Sequence, residues 1–461
     1  MKKLLFTLVT LTIISCSKQE KAIDYAILRG KIENIDGGKL TIRSSENKTI
    51  KEFVVNEDGT FGDTIQNIEL GYYSLRYANE SSQFFLSPGS DLNMTLNTKE
   101  FDESIHYAGN GEAENNFLVK KYLNEEGLGE LRGYQYLGSL DEKTFLHKMD
   151  SIKQFENEFL DQQLGLDAAF KSNEKAAILY NWAYKLKQFE LYKRFVTKDE
   201  SFTVSDNYQD FEKDLNFEDE KLLVLNNYKN YLNVYYSQKA SDLAEKDSIE
   251  RDLAFLQTVA KEVESPKIKE QLLYGSAKYG ITYTKELQNY FDFFMANSID
   301  EEHKSDISEK YNKLIKLSKG QPSPKFTSYE NFKGGETSLD DLKGKFVYVD
   351  VWATWCGPCK QEIPSLKKVE KEYHGKNIAF VSMSIDRKKD YDKWRAMITE
   401  KELSGIQLFA PNDWSSDFVT DYGILGIPRF ILIDPEGNIV NSNAPRPSSD
   451  ELIALFNELE I

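Results

Sequence analysis

The chain has 461 residues, 40% of them hydrophobic and 29% charged, and a formal net charge of -17. That length exceeds one ordinary hydrophobic core, so two or three domains are expected, with the composition of a water-soluble globular protein. The acidic balance argues against nucleic acid or an anionic membrane surface as partner.

Residues 1–16 read as an export signal: Lys2 and Lys3, an apolar run from Leu4 to Ile14, then Ser15 and Cys16 before the polar Ser17-Lys18-Gln19-Glu20. The run is too short to span a bilayer as a mature helix. Its Ile13-Ile14-Ser15-Cys16 ending resembles the lipobox of bacterial lipoproteins, which implies Cys16 as the acylated first mature residue. Plain cleavage and an uncleaved anchor are the alternatives. No other stretch is long and apolar enough to cross a membrane. The expected location is therefore the bacterial cell envelope, periplasm or cell surface, with the membrane held by an N-terminal lipid only. That compartment is oxidising.

From residue 22 to 108 short extended runs alternate with turns at Asp36-Gly37-Gly38, Glu57-Asp58-Gly59 and Ser87-Pro88-Gly89. Strands at this spacing suggest an antiparallel β-sandwich, with Phe53, Val55, Phe61 and Ile65 pointing inward around a hairpin. In pattern the segment resembles a β-rich domain of unknown function found at the front of envelope lipoproteins. Residues 112–319 read as a central all-α domain. Between 139 and 319 the only breakers are Gly165, Gly275, Gly280 and Pro266. Leu179, Trp182, Leu186 and Phe189 keep helical spacing, as do Leu222, Leu225, Leu232 and Tyr236, a pattern read as core packing. Ser265-Pro266 reads as a helix start and Gly320 as a stop. His106, His147 and His303 are isolated and carry no metal argument.

Prolines mark the next boundary, since nine of the eleven lie at or beyond residue 322. From 320 to 461 strands and helices alternate, which means an α/β sheet. A capping box at Ser448-x-x-Glu451 opens the last helix.

The apolar strand ending Val349-Asp350-Val351-Trp352 runs through Ala353-Thr354-Trp355 into Cys356-Gly357-Pro358-Cys359-Lys360. A thiol attacks a disulfide as its thiolate, and the N–H groups and positive dipole end at a helix start lower a cysteine's pKa. Cys356 belongs at that start. Cys359 lies one turn on, near enough to close a disulfide with Cys356 and to resolve a mixed disulfide. Gly357 lets a substrate backbone approach, and Pro358 suits the first helical position. A zinc site would need a second pair or histidines, of which this part of the chain holds only His374; haem attachment would need His in place of Lys360.

Trp-Cys-Gly-Pro-Cys-Lys after Val-Asp-Val-Trp-Ala resembles the thioredoxin active site. The stretch between Ile385 and Pro428 resembles the insertion in TlpA/ResA-type envelope thioredoxins. The resemblance covers residues 320–461 and implies a thioredoxin fold. It also implies Asp350 as a buried acid that exchanges protons with Cys359, Pro364 as the helix-kinking proline, and Ile427-Pro428 as the cis-proline loop that docks substrate beside Trp355, Gly357 and Pro358. The lysine that accompanies this acid in simple thioredoxins is replaced by Ser382 or Met383.

The implied activity is reduction of disulfides in exported proteins, for instance cytochrome c apoproteins, with electrons from a membrane donor. No cofactor or metal is expected beyond the 356–359 pair. Two rival readings are a disulfide oxidase or isomerase, and a surface binding lipoprotein that uses this fold as scaffold. The expected fold class is thus multi-domain: an N-terminal antiparallel β-sandwich, a central all-α region and a C-terminal α/β thioredoxin fold.

Overall fold

The structure, a computed structural model, describes residues 23–45 and 47–461. The expected export signal and Cys16 lie outside the described residues. Two compact units divide the chain: residues 23–215 with 221–231, and residues 216–220 with 232–461.

In the first unit, β1 (Ala26–Glu33), β2 (Leu40–Arg43), β3 (Thr49–Phe53), β4 (Thr60–Ile65), β5 (Gly71–Tyr77), β6 (Glu80–Leu86), β7 (Asp91–Asn97) and β8 (His106–Asn110) build two four-stranded sheets. Their orders are β4-β1-β7-β8 and β3-β2-β5-β6. Alternating inward residues such as Leu28, Ile42, Leu75 and Leu92 form one shared core. The expected all-antiparallel arrangement is corrected here. The β1–β7 ladder is parallel, so the strands are not all antiparallel. The segment between β1 and β7 contributes four strands to the other sheet, and the chain returns beside β1 in the same direction.

The hairpin around Asp58-Gly59 is also corrected, because β3 pairs with β2 whereas β4 pairs with β1. The inward residues nevertheless meet, Phe53 and Phe61 lying edge to face at 5.6 Å. The chain changes sheets at a tight turn where Gly59 has φ +82°. A Cβ there would stand 2.0 Å from the Ile32 carbonyl oxygen, so only glycine fits.

Helices α1 (Phe101–Ser104), α2 (Glu112–Gly127), α3 (Tyr134–Ser139), α4 (Glu142–Asp161) and α5 (Ala168–Thr197) complete this unit. Asn115 on α2 closes an amide pair with the backbone of β6. It accepts from Phe85 N at 2.8 Å and donates to Phe85 O at 2.9 Å.

The helical stretch 112–319 is shared between the two units, the division falling within α6 (Asn226–Asp247). Helix α6 starts only at Asn226, so Leu222 and Leu225 precede it, Leu222 in a 3-10 turn. The second unit holds α7 (Arg251–Glu262), α8 (Pro266–Gly280), α9 (Leu287–Asn297) and α10 (Glu301–Leu314). Ser265 caps α8 by accepting from Ile268 N, with Pro266 in the first turn. None of the described helices is long and apolar enough to cross a membrane.

The same unit continues with β9 (Tyr329–Asn331), β10 (Glu336–Thr337), β11 (Phe346–Trp352), α11 (Gly357–Glu372), β12 (Ile378–Ser384), α12 (Tyr391–Glu400), β13 (Ile406–Phe409), α13 (Asp417–Asp421), β14 (Arg429–Ile433), β15 (Ile439–Asn441) and α14 (Asp450–Glu458). Its seven strands form one sheet in the order β10-β9-β13-β12-β11-β14-β15. Strand β11 is interior, parallel to β12 and antiparallel to β14. It is rich in β-branched and aromatic residues because both of its faces are covered. Val347, Val349 and Val351 enter one core cluster, while Tyr348 joins Leu366 and Phe456 in the other.

The cap of α14 is Ser449, which accepts from Glu451 N at 3.3 Å. The expected cap, Ser448, is instead drawn to Glu362: its N–H and hydroxyl donate to that carboxylate at 3.1 and 2.9 Å.

Candidate active site

Strand β11 ends at the middle of the sheet, and the chain turns there directly into α11. Cys356 occupies the N-cap of α11. Its Sγ accepts from Cys359 N at 3.1 Å, so a first-turn N–H points at the sulfur where the dipole is positive. The Cys356 and Cys359 sulfurs are joined, with Cα atoms 5.3 Å apart. Both residues are buried, 4% and 5% exposed. Trp355, by contrast, is 53% exposed, and its ring centroid lies 6.4 Å from that of Trp414. Gly357 and Pro358 are exposed beside the sulfurs, and nothing stands within 4 Å of where a Gly357 Cβ would be. Pro364 lies inside α11. The Ile427–Pro428 peptide is cis.

Asp350 sits in β11, opposite Ser382 on β12 and Phe430 on β14. Of the two positions considered for the missing lysine, Ser382 is the one that faces it; Met383 pairs with Val351 and enters the core. Asp350, Ser382 and Cys359 border one small cavity. Burial pushes the Asp350 carboxyl up to about 8, and the charges of Glu370 and Glu362 push the same way.

Four further groups had no signal in the sequence. Asp386, buried at the end of β12, holds the turn ahead of Cys356. It accepts from Thr354 N at 2.9 Å and Thr354 Oγ1 at 2.7 Å, and from Ser384 Oγ at 2.8 Å. Glu362, one turn past Cys359, accepts from Ser448 and lies 3.8 Å from Arg446. Glu370, two turns further along α11, accepts from Ser404 Oγ.

Arg429, next to Pro428 and 4% exposed, donates from Nη1 to the Thr282 carbonyl at 2.7 Å. Its guanidinium lies 4.2 Å from the centre of the Tyr283 ring. The Tyr283 hydroxyl sits 2.6 Å from where a Cβ on Gly426 would stand. The turn after α8 therefore braces the loop that carries Ile427 and Pro428.

The arrangement holds two bonded sulfurs at a helix start and a buried acid with a raised pKa that shares a cavity with Cys359. Such a set can exchange thiols with a disulfide and move a proton at Cys359.

A family model described as Redoxin matches residues 318–453. The thioredoxin-like protein YneN of Bacillus subtilis (strain 168) is 33% identical over 128 residues, which cover 28% of this chain and 72% of YneN. The thiol-disulfide oxidoreductase ResA of the same organism is 29% identical over 124 residues, 27% of this chain and 66% of ResA. Among solved structures, the thioredoxin domain of a thiol-disulfide oxidoreductase from Bacteroides vulgatus is 33% identical. It covers 31% of this chain and 98% of that domain, with a TM-score of 0.28.

Proposed function

This chain belongs to the thioredoxin superfamily as a TlpA/ResA-like protein thiol-disulfide oxidoreductase, and we propose that it works in the reducing direction on disulfides of exported proteins. The observation that carries this reading is the placement of Cys356 Sγ at the start of α11, bonded to Cys359, which borders a cavity shared with Asp350.

In the reduced protein the Cys356 thiolate attacks one sulfur of a substrate disulfide. The Cys356–substrate bond forms, and the other substrate sulfur leaves as a thiolate that takes a proton. The ionised form of Asp350, the minority species below a pH of about 8, accepts the Cys359 proton, and the Cys359 thiolate attacks Cys356 Sγ. The 356–359 bond then forms as the mixed disulfide breaks. The substrate has gained two electrons, and the pair has lost them to be restored by a membrane electron donor. Trp355 shields the sulfurs, and the Ile427–Pro428 loop docks the substrate chain beside Gly357 and Pro358.

Gly-Pro between the cysteines supports the reducing direction, since thioredoxin, with the same pair, lies near -270 mV. Apo-cytochromes c are a candidate substrate class, and Cys16 is the proposed lipid anchor in the envelope.

The test uses Cys359→Ser in cells, which removes the resolving thiol and should leave substrates covalently attached at Cys356. Cys356→Ser should trap none. Equal, background-level capture by both variants would count against the enzyme reading.

A further inference from the structure

The cavity that Asp350 shares with Cys359 has about 10 Å³ of room for the centre of a water-sized sphere, the space of one water. Besides Asp350, Ser382 and Cys359, it is bordered by Trp352, Gln407 and Glu370. Trp352 Nε1, a donor, and Gln407 Oε1, an acceptor, are buried without a hydrogen-bond partner, on side chains 2% and 4% exposed. Orphaned buried polar atoms cost about 1–3 kcal/mol each, so a donor and an acceptor on one water-sized space point to a water between them.

Glu370 is the carboxylate that, with Lys367 and Ser404, borders both this chamber and an open groove of about 690 Å³ at the surface. Its Oε1 lies 2.8 Å from where a Cβ on Gly405 would stand, and its Oε2 accepts from Ser404. The Lys367 ammonium donates to the Lys401 carbonyl at 2.8 Å, and its charge opposes the burial that raises the Glu370 carboxyl.

We propose that Glu370 is the outer carboxylate of a proton path that runs from Cys359 through Asp350 and the chamber to the surface groove. The inference rests on the general-base role given to Asp350 above. When Asp350 has taken the Cys359 proton, it passes it through the chamber to the Glu370 carboxylate. Glu370 releases it to the groove, and the same route runs backwards when the disulfide is reduced. One proton enters and one leaves, and no electrons move along the path. The groups facing Asp350 are Glu370 and Glu362 from α11 and Tyr348 from its own strand. Those facing Glu370 are Lys367 on its own helix and Ser404 after α12, with Lys371, His374, Lys345 and Lys333 around the groove. Burial raises Glu370 as well as Asp350, which lets Glu370 hold a proton on its way out.

The test uses the full-length reduced protein and the chromogenic disulfide dithiobis(nitrobenzoate), which releases one thiolate when Cys356 attacks and a second when Cys359 resolves. Removing a positioned acid or base costs about 10²- to 10⁴-fold, and a carboxylate that relays the proton onward sits one step removed from that, so a smaller slowing is expected. Glu370→Gln keeps the volume and an acceptor for Ser404. It should leave the first release unchanged and slow the second by at least threefold at pH 7, with partial recovery in Glu370→Asp. A second release slowed less than threefold overturns the proposal, and so does equal slowing of both releases. The Asp350 reading fails separately, and visibly, if Asp350→Asn leaves the second release at the wild-type rate.

Discussion

Replacing Asp350 by Asn isolates one physical term. The native state holds the Asp350 proton up to a pH of about 8, whereas an unfolded aspartate releases it near 3.8. Between those values the folded chain binds more protons than the unfolded one, so stability is greatest below 3.8 and is lost as pH rises through 8. A shift of about four units at about 1.36 kcal/mol per unit sets a ceiling near 6 kcal/mol. About 4 kcal/mol of that falls between pH 5 and 9, less if water in the chamber or movement of Glu370 relieves the charge.

Asn has the same shape and no charge, so the variant should lose this decline and be the more stable protein at pH 9. Urea unfolding of the oxidised protein, followed by tryptophan fluorescence, is the assay. Four of the five tryptophans, Trp352, Trp355, Trp394 and Trp414, report the second unit. If wild type and Asp350→Asn showed the same pH dependence within about 1 kcal/mol, Asp350 would not be the strained acid described above.

Other perturbations test the supports of the site. Asp386→Ala removes a buried acceptor of three side-chain and backbone donors and should cost about 2–4 kcal/mol in the denaturant midpoint of the second unit, with slower attack by Cys356. Arg429→Met leaves the Thr282 carbonyl without its donor and frees the loop at Pro428. The KM for a protein disulfide should rise about 5- to 30-fold while the rate with a small disulfide stays unchanged. In the first unit, Glu174 is buried and accepts from Tyr72 Oη at 2.6 Å and Lys121 Nζ at 2.8 Å. Glu174→Ala strips Lys121 of that carboxylate and should destabilise the first unit by about 3 kcal/mol, seen as faster limited proteolysis between residues 23 and 215.

The placement of the two sulfurs was legible because it is local. A β-branched strand, a turn and two cysteines spaced by one helical turn place Cys356 at the start of α11 whatever the rest of the chain does. The helix start at Ser265-Pro266 and five of the seven strands of the last sheet follow from similarly short-range signals, cap chemistry and period, whereas the short β9 and β10 carry no such signal. Failures came wherever two distant segments had to choose each other. Phe53 and Phe61 were rightly read as inward, yet their strands belong to different sheets. Ser448 has the capping-box spacing but lost the cap to Ser449 because Glu362 competes for its donors.

By itself, then, the order of residues determined the cysteine pair, its helix and the alternation of elements around it, since neighbours along the chain decide those. Only tertiary structure decided which groups tune and hold that pair. Asp386 meets Thr354 across 32 residues, and Arg429 meets Thr282 across 147. Glu370 meets the chamber only because the register of β11 and β12 sets Asp350 opposite Ser382, and the packing of α11 closes over them. Strand register and helix packing are collective outcomes of burying the whole core, and no periodicity within a short window encodes them.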